Sequence, residues 1–138
     1  MFKVLTIDDD PAMTELLTLL LQSHGLDAYM ANSGEKGIQL VHEISPDVII
    51  LDLMMPGMDG WQVCTNIRTF SNVPILILSA LDNPGIVASA LDAGADDYLV
   101  KPVPSGVLIA HLNKLTRRAV TEKDNRDPML ANPAALPV

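Results

Sequence analysis

Apolar strand-like runs alternate with amphipathic helix-like runs along most of this chain, and this alternation constrains the fold more than any other feature. The runs at 47–51 and 73–78 are almost wholly apolar, whereas the segments between the runs place apolar residues at helical spacing. Apolar strands flanked by helices are typical of a parallel sheet that is covered on both sides. We therefore predict an α/β fold with a doubly wound, five-stranded parallel sheet and the chain order (βα)5.

The limits of the elements follow from the periodicity and from residues that favour helix ends. Asp10 before Pro11 is typical of a helix start, and Gly25 and Gly94 are typical of the residue after a helix. The predicted strands are 3–7, 26–31, 47–51, 73–78 and 97–100, and the predicted helices are 11–24, 33–43, 60–70, 84–93 and 104–119.

Composition excludes several classes of protein. No apolar run approaches the length of a membrane span, and the amino-terminal residues lack the pattern of a secretory signal. The single cysteine, Cys64, excludes an intrachain disulfide and fits a reducing cytoplasm, so we expect a cytoplasmic protein without membrane contact. The net charge of −8 argues against direct nucleic-acid contact by this segment.

The composition changes near Thr121, where prolines and polar residues replace the periodic pattern. We predict one domain over residues 1–119. Residues 120–138 are expected to form a linker or tail that leads to an output domain outside this chain.

Polar and charged residues follow four of the predicted strands. Asp8 and Asp9 follow the first strand, Asp52 the third, Ser79 the fourth and Lys101 the fifth. Taken singly, each has an ordinary interpretation as a helix cap, a turn residue or a surface lysine. In an open α/β sheet, however, ligands bind beyond the carboxyl ends of the strands, so this set predicts one shared site if the first and third strands are neighbours.

The chemistry of this set favours phosphoryl transfer. Clustered carboxylates repel one another, and an all-oxygen set without histidine or cysteine favours Mg²⁺ or Mn²⁺ over Zn²⁺. A carboxylate can be the nucleophile that forms an aspartyl phosphate. The Lys101 ammonium and the Ser79 hydroxyl are suited to hold two oxygens of the transferred group.

The residues also resemble a known family, the CheY-like receiver domain of bacterial two-component response regulators. The resemblance is carried by IDD at 7–9, DVIILDLMMPGMDG at 47–60, ILSA at 77–80 and GADDYLVKP at 94–102, and it covers roughly residues 2–118. It implies a phosphoacceptor signalling domain of a phosphorelay, a regulatory protein rather than a turnover enzyme. It also implies the strand order 2-1-3-4-5.

The resemblance assigns roles to individual residues. Asp52 is the implied phosphoacceptor, Asp8 and Asp9 the implied Mg²⁺ pair, and the Met54 backbone carbonyl a further metal ligand. Lys101 matches the lysine of the motif, and its bond to the following proline is expected to be cis. The phosphoryl group is expected to come from a sensor histidine kinase or a phosphotransfer protein.

Two further positions match the switch residues of the family. Ser79 is expected to move towards the phosphoryl group, and Tyr98 to rotate inward from an exposed position into the vacated space. The surface formed by the fourth helix, fifth strand and fifth helix would then change shape. That surface is where a phosphorylation-dependent homodimer would form, although His111 replaces the arginine that many DNA-binding relatives carry.

The type of output domain stays open. The spacing from Asp127 to Pro133 is similar to the opening of diguanylate cyclase domains, and the segment 116–118 is similar to the ends of receivers that precede a winged-helix DNA-binding domain. A stand-alone receiver is the third possibility.

Two other functions share this fold or chemistry. A Mg²⁺-dependent phosphatase that forms an aspartyl phosphate commonly carries a second aspartate two residues after the nucleophile, where this chain has Met54. A flavodoxin-like module needs a phosphate-binding loop rich in serine, threonine or glycine after the first strand, where this chain has three aspartates.

Overall fold

The computed structural model describes residues 2–126, with side chains described to residue 118. Strands and helices alternate without exception in this part of the chain. The strands are β1 (Lys3–Ile7), β2 (Asp27–Ala31), β3 (Val48–Leu51), β4 (Ile75–Ser79) and β5 (Asp97–Val100). The helices are α1 (Pro11–Ser23), α2 (Gly34–Ile44), α3 (Gly60–Arg68), α4 (Pro84–Asp92) and α5 (Ser105–Arg126).

All five strands are parallel and lie in the order β2-β1-β3-β4-β5, which confirms the predicted sheet. The strand order reverses at β1, which pairs with both β2 and β3. Ile7 at the end of β1 lies opposite Leu51 at the end of β3, so the two strands end at the same level. Residues that follow these two strands therefore begin side by side.

Two apolar cores lie on opposite faces of the sheet. Alternate residues of β3 enter different cores because successive side chains of a strand point to opposite faces. Ile49 and Leu51 pack with α2, α3 and α4, whereas Val48 and Ile50 pack with α1 and α5. All four residues are 0–1% exposed, which confirms that β3 is buried on both faces.

Side-chain caps fix the starts of the helices near the carboxyl edge of the sheet. Asp10 is the N-cap of α1 and accepts a hydrogen bond from the Ala12 amide at 3.0 Å, as predicted. Asp59 is the N-cap of α3, where Gln62 completes a reciprocal capping box. These caps satisfy amide groups that would otherwise lack partners, and they fix where each loop from a strand must end.

Most element limits agree with the sequence prediction to within two residues, but α5 does not. It was predicted to end near residue 119 and continues to Arg126. The added segment is polar and lacks apolar periodicity, so the pattern used to predict helices carried no signal there. The residues from Asp127 to Pro133, which resemble a cyclase opening, lie outside the described part of the chain.

No helix within residues 2–126 is both long enough and apolar enough to span a membrane.

Candidate functional site

Three carboxylates meet at the carboxyl edge of the sheet. Oxygens of Asp8, Asp9 and Asp52 all lie within 4.8 Å of one another. Asp8 and Asp52 are buried, with 3% and 8% of their surface exposed, whereas Asp9 is exposed. The convergence predicted from neighbouring first and third strands is therefore present.

Backbone hydrogen bonds between strands hold these carboxylates in place. The Asp52 amide donates to the Ile7 carbonyl at 3.0 Å, and the Asp8 amide donates to the Ala31 carbonyl at 3.1 Å. The Asn32 side chain also donates to the Asp8 carbonyl at 2.9 Å. Each aspartate thus extends the ladder of the sheet by one position, so the rigidity of the sheet reaches the site.

Gly60 allows α3 to begin directly beneath Asp52. A Cβ atom at this position would lie 2.4 Å from the Asp52 carbonyl oxygen and 2.6 Å from the Leu53 Cα, which is closer than real atoms approach. The Gly60 amide donates to the Leu53 carbonyl at 2.9 Å. The glycine in this motif is therefore required by a close backbone approach rather than by chain flexibility.

The environment of Asp52 disfavours its charged form. Burial raises the pKa of the Asp52 carboxyl, and the neighbouring Asp8 charge raises it further. The Lys101 ammonium and the amides of Met54 and Leu53 act in the opposite direction. The net upward shift means that the Lys101 charge and the amide hydrogen bonds only partly offset burial and the Asp8 charge.

Lys101 lies over two of the three carboxylates. Its Nζ is 2.9 Å from Asp8 Oδ2 and 3.8 Å from Asp52 Oδ2. The Lys101 amide donates to the Ser79 carbonyl at 2.8 Å, which fixes the lysine backbone at the end of β4. The bond from Lys101 to Pro102 is cis, as expected.

Ser79 is the last residue of β4 and is fully buried. Its hydroxyl accepts a hydrogen bond from the Leu81 amide at 3.3 Å. The sequence placed Ser79 just after the strand, and the structure includes it in the strand, opposite Val100 of β5.

Tyr98 differs from its expected exposed position. The ring is partly buried against the core on the α4 side, and its hydroxyl donates to the Leu81 carbonyl at 2.6 Å. Burial raises the pKa of the Tyr98 phenol, the Asp52 and Asp82 charges raise it further, and the neighbouring Ser79 hydroxyl opposes them. The ring therefore already lies inward, because its hydroxyl donates a hydrogen bond to a backbone carbonyl of the β4–α4 loop.

The donor set fits a hard divalent cation. Three carboxylates supply oxygen atoms, and neither histidine nor cysteine is among them. The Met54 side chain is 59% exposed, and its amide donates to Asp52 Oδ1 at 3.4 Å. The role of the Met54 carbonyl as a ligand stays a prediction.

Sequence reasoning missed the contacts at the start of β5. Asp96 accepts hydrogen bonds from Arg68 of α3 at 2.9 Å, from the Ile75 amide at 2.9 Å and from Arg118 of α5. The next residue, Asp97, is paired with His111 of α5. The adjacent aspartates of the motif were a signal for these contacts, but their partners lie up to 28 residues away along the chain.

Trp61 and Cys64 of α3 have structural surroundings. The Trp61 indole N–H donates to the Ser89 hydroxyl of α4 at 2.9 Å, so this side chain joins two helices. Cys64 is buried in the core, as predicted, and burial raises the pKa of its thiol.

Comparison with known families gives one consistent result. The family model described as "Response regulator receiver domain" matches residues 4–113.

Curated relatives agree with this match. The DNA-binding response regulator MtrA of Mycolicibacterium smegmatis is 40% identical over 116 residues, which cover 84% of this chain and 51% of MtrA. The transcriptional regulatory protein AfsQ1 of Streptomyces coelicolor is 43% identical over 119 residues, covering 86% of this chain and 53% of AfsQ1. The chain thus spans about half the length of these relatives.

Solved structures give the same result. The BeF3-activated receiver domain of Klebsiella pneumoniae RstA superposes with a TM-score of 0.80 at 32% identity, covering 83% of this chain and 98% of that one. The chemotaxis protein CheY4 of Vibrio cholerae gives a TM-score of 0.78 at 29% identity with the same coverage.

Proposed function

The chain belongs to the response regulator receiver domain family and is a phosphoacceptor signalling domain of a two-component system, and on this premise we propose that Asp52 is the residue that accepts the phosphoryl group. The observation that carries the assignment is the meeting of Asp52 with Asp8, Asp9 and the Lys101 ammonium at the end of β3. Asp52 is the member of this set that is both buried and next to the exposed loop at Met54.

The proposed reaction is a displacement at phosphorus. An Asp52 oxygen forms a bond to the phosphorus atom, and the bond from phosphorus to the donor breaks, so that the electron pair leaves with the donor. The donor is a phosphohistidine of a partner or a small acyl phosphate. The product is a mixed anhydride on Asp52, which water later hydrolyses to restore the carboxylate and release inorganic phosphate.

Asp8 and Asp9 are proposed to hold Mg²⁺, or Mn²⁺, together with Asp52 and the Met54 carbonyl. The all-oxygen donor set and the incompletely compensated Asp52 charge support this proposal. The cation supplies charge neutralisation for the phosphoryl oxygens. Lys101 is already within 3.8 Å of Asp52, so its ammonium is available to a phosphoryl oxygen after a small movement.

Ser79 and Tyr98 are proposed to transmit the change. The Ser79 hydroxyl now bonds the Leu81 amide, and the Tyr98 hydroxyl bonds the Leu81 carbonyl. If Ser79 turns to donate to the phosphoryl group, the β4–α4 loop loses one of its two attachments at Leu81. The surface of α4, β5 and α5 is then expected to change shape.

The whole protein is proposed to work with partners in the cytoplasm. A sensor histidine kinase or a phosphotransfer protein is the expected donor. A DNA-binding output domain is supported by relatives that are named DNA-binding and are about twice as long as this chain. A diguanylate cyclase remains the other proposed output.

The receiver is proposed to occupy residues 1–119, with residues 120–138 leading to that output domain. A phosphorylation-dependent homodimer is proposed through α4, β5 and α5, where Leu91, Val100 and Val107 are exposed apolar residues.

The phosphorylated form is proposed to be long-lived. Met54 and Leu81 flank the site with apolar side chains and offer no group that orients a water molecule for attack. A half-life of seconds for the phosphorylated form would contradict this proposal.

The test is phosphorylation by acetyl phosphate with Mg²⁺, followed by intact mass. The mass is expected to rise by one phosphoryl group, and Asp52→Asn is expected to abolish the rise. Asp59→Asn is the matched control, because Asp59 lies in the same loop but serves as the N-cap of α3. Labelling of Asp52→Asn to the level of the unmodified protein would overturn the assignment.

A further inference from the structure

Two neighbouring carboxylates fasten α5 to the start of β5, and they do so with different chemistry. Asp96 binds Arg118 of α5 and also Arg68 of α3. Asp97 binds His111 of α5, with its Oδ2 in close contact with the imidazole Nδ1. Because His111 and Arg118 are seven residues apart, the two attachments are about 10 Å apart along the helix.

The two attachments respond differently to acidity. An arginine side chain stays charged at any physiological pH, so the Asp96 attachment is constant. Histidine is the side chain whose charge ordinarily changes near neutrality. When the ring is protonated, its contact with Asp97 is an ion pair; when the ring is neutral, the hydrogen bond to the carboxylate can remain but the ion pair is lost.

We propose that the His111–Asp97 pair is a proton-sensitive latch that holds the first half of α5 against β5 more firmly in acid than in alkali. The part of α5 around Arg118 stays fixed through Asp96. A change of pH would therefore tilt α5 about its Arg118 attachment rather than release the whole helix.

The position of Asp97 links this latch to the strand that carries Tyr98. While Asp97 Oδ2 faces His111, its Oδ1 accepts a hydrogen bond from the Tyr98 amide at 2.8 Å. The side chains of His111 and Asp97 are 33% and 25% exposed, so solvent protons reach the pair directly. The latch thus lies at the start of β5, whereas the carboxylates of the proposed phosphorylation site lie at the opposite, carboxyl edge of the sheet.

The other charged groups around His111 do not supply the same response. On the part of α5 whose side chains are described, the other charged residues that follow Ser105 are Lys114, Arg117 and Arg118, and none of them is a histidine. On β5 and the preceding turn, Asp96 is held by two arginines, and Lys101 is engaged with Asp8 and Asp52. The sole charged residue of α4 is Asp92, and that of α1 is Glu15. Among the groups named here, His111 is the histidine, the residue type to which the proposal assigns the response.

The test is amide hydrogen exchange of the unphosphorylated protein, with rates corrected for the intrinsic effect of pH and expressed relative to α1. Protection of residues 107–112 is expected to fall about threefold from about pH 6 to about pH 8, the size expected of a partly exposed ion pair. Protection around residues 115–118 is expected to stay constant.

Three variants make this result specific. His111→Arg is expected to keep high protection at every pH, and His111→Gln and Asp97→Asn low protection at every pH. His42→Gln is the control, because that ring stacks on Phe70 at a distant part of the fold and its loss should leave the pH dependence intact. A pH-independent unmodified protein, or a pH dependence that survives in His111→Gln, would overturn the latch. Neither outcome depends on whether Asp52 accepts a phosphoryl group.

Discussion

The helices α3 and α4 are each nine residues long and cover the same face of the sheet, yet they are held very differently. Four residues of α3 are buried, and its first residue lies directly against the Asp52 backbone. Only Ala90 is buried in α4. Few buried contacts mean a low free energy of local opening, so α3 gives the site a fixed support while the neighbouring surface at α4 is free to shift.

The largest expected effect on stability comes from replacing one core-facing isoleucine of each helix with alanine. Ile67→Ala in α3 removes a fully buried side chain and is expected to cost about 2–5 kcal/mol of unfolding free energy. Ile86→Ala in α4 removes a partly buried one and is expected to cost about 1 kcal/mol. Urea unfolding of the two variants measures both values, and equal costs would contradict the contrast between the helices.

A smaller effect is expected from adding a methyl group at the start of each helix. Gly60→Ala pushes a Cβ into the Asp52 and Leu53 backbone and is expected to cost about 1–3 kcal/mol. Gly85→Ala in α4 meets only the Asn83 side chain, at 3.1 Å, and is expected to change stability by less than about 0.5 kcal/mol. Thermal unfolding and acetyl phosphate labelling compare the stability and the phosphorylation of the two variants. A Gly60→Ala variant with unchanged stability would contradict the explanation that a close backbone approach requires this glycine.

A third comparison concerns the stability of the protein with and without the negative charge at Asp52, which lies against the start of α3. Because burial raises the pKa of Asp52, the folded protein binds a proton more tightly there than the unfolded chain does, so the ionised carboxylate destabilises the fold near neutrality. Asp52→Asn is expected to raise the urea midpoint at neutral pH. The effect is smaller than that of Ile67→Ala because Lys101 partly offsets it.

The pH dependence gives the sign of this effect. As the pH falls through the raised value, Asp52 becomes protonated and the destabilisation is lost, and it is gone below the unfolded-state value of about 3.9. The unfolding curves of the two proteins should therefore converge in acid without metal. Asp9→Asn at an exposed position is the control, and a constant difference at all pH values would contradict the explanation.

The smallest effect is expected where α3 and α4 touch. Ser89→Ala removes the acceptor of the Trp61 indole hydrogen bond, a loss of under about 1 kcal/mol at an exposed contact. Amide exchange in α4 is expected to become faster while exchange in α3 is unchanged. The Trp61 indole resonance reports whether the bond is lost, and equal acceleration in both helices would show that the two helices are not held independently.

The sequence predicted the sheet and the acidic site well because both depend on local patterns. Apolar runs mark β3 and β4, and the residues that follow parallel strands must meet at one edge. Asp8, Asp9 and Asp52 meet because β1 and β3 are neighbours, and that strand order came from the family resemblance rather than from the local pattern.

Contacts that depend on side-chain reach could not be predicted in this way. The pairing of Asp97 with His111 depends on how α5 lies across β5, and the inward position of Tyr98 depends on a carbonyl at Leu81. The predicted end of α5 was wrong because the last turns of this helix lack apolar periodicity.

Within the residues that the structure describes, the sheet also separates two apolar cores that have no buried residue in common. On β3, Ile49 belongs to one core and Ile50 to the other. Substitutions in separate clusters that are more than about 7–10 Å apart usually combine additively. Substitutions in the core beneath α1 and α5 are therefore expected to add their costs to those in the core beneath α2, α3 and α4, so stability lost on one side of the sheet can be regained on the other.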